Sequence, residues 1–103
     1  MVIKRIQYTV VSDYAETNKK NIMKVMEELK LKNLSGIRYS TYVLDDKKTF
    51  MHFVVTESDA ANQILTGLET FKIFQTELMA SGPEFPPKVE NLTLVGSSYE
   101  LLD

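Results

Sequence analysis

Residues 36 to 58, GIRYSTYVLDDKKTFMHFVVTES, constrain this chain more than any other stretch. Two β-rich runs flank Asp45-Asp46-Lys47-Lys48, a group of residues suited to a tight turn. With those four as the turn, Leu44 faces Thr49, Tyr42 faces Met51, Thr41 faces His52 and Tyr39 faces Val54. One face of the hairpin then carries Ile37, Tyr39, Val43, Phe50 and Val54, and the other Tyr42, Leu44, Met51, Phe53 and Val55. A sheet with one solvated face alternates apolar with polar residues. Here both faces are apolar, so both must be covered.

The rest of the chain supplies cover for one of them. Residues 2 to 11 alternate as a strand, with Ile6, Tyr8 and Val10 on one side and Arg5 and Gln7 on the other. Asp13, with Glu16 three residues later, reads as a capping arrangement opening a helix that runs to about Leu31. Ile22, Val25, Met26 and Leu29 form its apolar stripe. Ser58 or Asp59 opens a second helical region. Gly67 divides it into a short piece near 59 to 65 and a longer one near 68 to 81, because glycine weakens a helix interior by about 1 kcal/mol. Gly82-Pro83 stops it. PEFPPKVEN reads as a proline-rich connection, Leu92 to Tyr99 as the last strand and Glu100 to Asp103 as a tail.

The order βαββαβ is the ferredoxin-like plan, an α+β fold with a four-stranded antiparallel sheet and two helices on one face. The 103 residues suit one domain spanning 1–103. Two helices on one side leave the second apolar face bare. A second copy related by a two-fold axis is the simplest cover, so a homodimer joined through the sheet faces is expected.

Composition removes several function classes. The net charge is −2, and no basic cluster suggests binding to nucleic acid or an anionic membrane. Cysteine is absent, which excludes disulfides, thiolate catalysis and Cys-ligated zinc. No continuous apolar run suggests a signal peptide or membrane span, so the cytoplasm is the expected location. Neither a glycine-rich phosphate loop nor an HExxH pattern is present.

The sole histidine, His52, is the first candidate for chemistry. It can serve as a general base or hydrogen-bond a phenol, or be a packed histidine satisfied by a neighbouring tyrosine or carbonyl. A metal role lacks a second histidine or an acid cluster. Tyr8 and Tyr39 suit an aromatic pocket or, like Tyr42 and Tyr99, a subunit interface. Arg5 and Arg38 are suited to an anionic group or to a carboxylate at a subunit edge. Phe71, Phe74, Leu78 and Met79 form a stripe that serves as core or as pocket wall. Asn62 and Gln63 are minor candidates for ligand contact.

Several segments together resemble the antibiotic biosynthesis monooxygenase-like proteins of the dimeric α/β barrel superfamily, and an uncharacterised subgroup in particular. They are Gly36-Ile37-Arg38-Tyr39, Thr49-Phe50-Met51-His52-Phe53, the helical run from Leu68 to Gln75, Pro86-Pro87, and Leu92 to Ser97. The resemblance spans nearly the whole chain. It implies a homodimer with a pocket between sheet and helices in each subunit. It also implies a monooxygenase-like activity, without cofactor, on a small aromatic phenol or quinol. His52 is then the catalytic candidate, and Tyr8, Tyr39, Phe71 and Phe74 the substrate-binding ones. Haem-degrading members use a tryptophan and a histidine on the second helix. This chain has no tryptophan and its histidine lies on a strand, so haem degradation is not expected. The tryptophan used by some oxygenase members is also missing. A non-catalytic homodimeric module binding a small apolar ligand is the alternative.

Overall fold

The computed structural model describes residues 1–102; Asp103, counted above in the tail, lies outside them. The elements run β1 (Val2–Thr9), a 3-10 turn (Ser12–Tyr14), α1 (Ala15–Lys32), β2 (Ile37–Val43), β3 (Thr49–Thr56), α2 (Asp59–Gly67), α3 (Glu69–Ala80) and β4 (Phe85–Leu92). The four strands form one antiparallel sheet in the order β2-β3-β1-β4. This is the ferredoxin-like α+β plan, with three helices where two helical regions were expected. The expected division at Gly67 accounts for the third, since α2 ends there and Leu68 is extended.

The hairpin register is the one expected. Tyr42 pairs with Met51, Thr41 with His52 and Tyr39 with Val54. Asp46 fixes the turn. Its carboxylate accepts from the backbone N–H of Lys48 at 3.0 Å and of Thr49 at 2.8 Å, while Lys47 takes positive φ. Those bonds, with Thr49 Oγ1, hold the Asp46 carboxyl below its ordinary pKa.

Two expectations fail locally. Asp13 does not cap α1. It lies within the 3-10 turn closed by Tyr14 N–H on Val11 O at 3.0 Å, and no side chain caps the helix that starts at Ala15. Secondly, the last strand is Phe85–Leu92 rather than Leu92–Tyr99, so PEFPPKVEN is largely strand. β4 is an edge strand, where a missing proline N–H can face solvent. The register also slips between Gln7 and Thr9, which places Pro86 and Pro87 in a bulge opposite Tyr8. Beyond Leu92 the chain continues without strand pairing, and Val95 is fully exposed.

The core lies between the sheet and the helices. Tyr8, Ile37, Phe50 and Val54 from the sheet, with Val10 just past β1, meet Ile22 and Val25 of α1, Leu65 of α2 and Phe71, Phe74 and Leu78 of α3. α1 and α3 are tied by two polar bonds seven residues apart on each helix, as in an antiparallel pair. Asn21 donates to Glu77 at 2.9 Å and Thr70 to Glu28 at 2.6 Å. Among the described residues no helix is long and apolar enough to cross a membrane.

Candidate functional site

A cavity of about 460 Å³ lies in this core, floored by the sheet and walled by α2 and α3. The period-2 alternation of the strands decides what reaches it. β1 sends Lys4, Ile6 and Tyr8 to the helix side, β3 sends His52 and Val54, and β2 sends Tyr39. On α3, Phe71, Phe74 and Leu78 fall at spacings of three and four, so one helix face presents all three. His52, Tyr8, Tyr39, Phe71 and Phe74, the candidate site residues, therefore line one cavity. On its α3 and β4 sides the lining residues Met79 and Val89 are each more than half exposed.

His52 sits in the floor and is only 2% exposed. Both ring nitrogens are engaged by hydroxyls. Nε2 lies 2.8 Å from Tyr8 Oη, and Nδ1 lies 2.6 Å from Tyr39 Oη and 3.1 Å from Thr41 Oγ1. Aromatic rings surround it, with centroids at 5.3 Å for Tyr8, 5.6 Å for Tyr39 and 5.5 Å for Phe74. Burial disfavours the imidazolium and lowers the His52 pKa from 6.5 to about 4. The same cause raises both tyrosine hydroxyls above their ordinary range. The network is thus neutral near pH 7.

The direction of the hydrogen bonds follows from Asn18. This residue of α1 is fully buried, and its Nδ2–H donates to Tyr8 Oη at 2.8 Å. Tyr8 then directs its own proton to the remaining partner, His52 Nε2. A neutral imidazole that accepts at Nε2 carries its proton on Nδ1 and donates it to Tyr39. Tyr39 Oη, which also bonds Thr41, lines the cavity beside this network. Asn18 Oδ1 is buried without a hydrogen-bond partner among the described residues, so the amide is held by this one donated bond.

Sequence reasoning missed Asn18, Thr41 and Lys4 as site residues. Asn18 had a signal, since it interrupts the buried stripe of Ala15, Ile22 and Val25 at helical spacing. Thr41 was paired with His52 by register but given no role. Asn62 lines the cavity from α2, whereas Gln63 is not among its lining residues. Tyr42 lies on the opposite sheet face, and Tyr99 is exposed beyond β4. Arg5 forms an ion pair with Glu90 of β4 at 2.6 Å and also bonds Gln7. Among the described residues no group of three or more His, Cys, Asp or Glu side chains could hold a metal ion.

Solved structures share this architecture. One, an antibiotic biosynthesis monooxygenase, aligns over 93% of this chain and 100% of its own, with a TM-score of 0.78 and 15% identity. The chain has the antibiotic biosynthesis monooxygenase-like fold. A candidate antibiotic biosynthesis monooxygenase from Bacteroides thetaiotaomicron aligns over 97% of this chain and 94% of its own, with a TM-score of 0.81 and 9% identity. Rv0793 from Mycobacterium tuberculosis aligns over 95% and 98%, with a TM-score of 0.77 and 14% identity. No family model matches the chain. No curated protein sequence matches it either. At these identities the likeness to the monooxygenase-like structures is one of fold.

Proposed function

We propose that the chain is a cofactor-independent monooxygenase-like protein that binds a small phenol or quinol in the cavity between sheet and helices. The observation that carries this reading is His52 at the cavity floor, held neutral among Tyr8, Tyr39 and Phe74. The cavity suits a bicyclic aromatic molecule in size and lining. Tyr39 is the hydroxyl placed to act on the ligand. Its donated bond to a substrate oxygen favours the phenolate. His52 acts through Tyr39, positioning its hydroxyl, and is too weak a base to hold the substrate proton itself, which passes to solvent and is recovered in the water formed. The substrate anion is the reductant. A phenol with one O₂ yields a quinone and one water, one oxygen atom entering the ring and the other leaving as water.

Oxygen uptake with a panel of quinols and phenols tests this directly. Uptake above buffer with at least one of them is expected, reduced at least tenfold in His52→Ala. No uptake with any member would remove the oxygenase reading. The weak basicity of His52 favours a second reading, a non-catalytic module that binds a small apolar ligand. Binding without uptake would support it.

We also propose that two chains pair through the sheet face opposite the helices. Phe53, Val55 and Ile3 are only half-buried there, and Tyr42 is more than half exposed. Part of the chain beyond β4, including Leu94 and Leu101, borders a hollow on the same face but leaves these side chains partly open. Sedimentation at micromolar concentration should give twice 11.8 kDa. A mass near one chain would refute the pairing.

A further inference from the structure

We infer that the ligand carries an acidic group at one end, and that Lys4 selects it. The inference rests on the cavity being an aromatic-ligand site. Among the described residues Lys4 is the one cation that lines the cavity, and none of those lining it is acidic. It is half-buried, and among the described residues it makes no ion pair. A lysine stem lying along apolar surface with its ammonium at the rim is a low-cost arrangement. It also puts a positive charge at a cavity whose other lining residues are uncharged. The sheet register sets the distance to the hydroxyl end. Tyr39 pairs with Val54, and Val54 pairs with Lys4, so the two residues stand in one row of the floor. Their backbones are two strand spacings apart, roughly 10 Å. The floor therefore offers a hydroxyl donor at Tyr39 and a cation at Lys4, with apolar Val54 between them. That spacing fits a bicyclic hydroxyarene whose carboxylate lies at the far end from its hydroxyl.

Fluorescence titration can test this without interference, because the protein has no tryptophan. Three probes suffice at neutral pH: 2-naphthol, 6-hydroxy-2-naphthoate with its groups at opposite ends, and 3-hydroxy-2-naphthoate with its groups adjacent. The opposed hydroxynaphthoate should bind roughly tenfold tighter than 2-naphthol, the size of one partly desolvated charged hydrogen bond. It should also bind more tightly than the adjacent isomer. The preference over 2-naphthol should shrink with added salt and vanish in Lys4→Met. The salt series on the unaltered protein makes the same test if Lys4→Met does not fold. Equal affinities, or a preference that survives both salt and Lys4→Met, would overturn the role of Lys4 while leaving the cavity reading intact. Failure of all three probes to bind would overturn both.

Discussion

Lowering the pH from 6.5 to 4 is expected to remove about 3 kcal/mol of folding stability through His52 alone. The folded-state pKa is depressed from 6.5 to about 4 because the ring is desolvated. Between those values the unfolded chain binds a proton at His52 and the folded chain does not. Stability therefore rises with pH across this window, is complete above 6.5, and is lost as pH falls through it. A gap of that width corresponds to about 3 kcal/mol. Carboxylates such as Asp46 also titrate near the acid end, so the His52 contribution is read by difference. His52→Gln offers one donor and one acceptor without a titrating group. Urea midpoints for the two proteins at several pH values should converge as pH falls toward 4. Parallel curves would mean that His52 titrates as it does in water.

Phe50→Ala should cost about 3–5 kcal/mol, the usual range for emptying a buried aromatic site. Phe50 is 2% exposed on the central strand β3 and pairs with Tyr8 on one side and Val43 on the other. Its ring stacks on Tyr8 with centroids 5.6 Å apart and planes within 15°. Removing it opens a hole beneath the tyrosine that holds His52 Nε2. The loss is a large share of the roughly 5–15 kcal/mol that a domain of this kind has in total. Met23 on the exposed side of α1 is the control. Met23→Ala should stay within about 0.5 kcal/mol. Comparable losses in the two variants would show that the helices do not pack on the Tyr8–Phe50 face.

The hairpin strands β2 and β3 were legible because two local rules agreed. Turn chemistry at Asp45 to Lys48 and the alternation of Tyr39, Thr41, His52 and Val54 gave one register, and that register placed His52 opposite Thr41. Gly67 and Ser58 marked helix limits for equally local reasons, with Ser58 accepting the Ala61 N–H as an N-cap. β4 was misplaced because its evidence is not local. Pro86 and Pro87 argue against a strand unless it lies at an edge, and edge position depends on which strands pair. The run from Leu92 to Val95 has strand composition, but only Leu92 pairs with a strand among the described residues. Lys4 and Asn18 were overlooked for a similar reason. Each looks like an ordinary polar residue until the sheet brings Lys4 into line with Tyr39 and the packing of α1 brings Asn18 to Tyr8.

The function proposed for the cavity rests on a neutral imidazole of fixed tautomer that faces an aromatic ligand through Tyr39. Long-range proton–nitrogen NMR of the histidine ring reads it most directly, since His52 is the sole histidine. The prediction is one neutral form with its proton on Nδ1, persisting to near pH 4, whose nitrogen shifts move when 2-naphthol is added. A ring that titrates near 6.5, exchanges between tautomers and ignores the naphthol would contradict it.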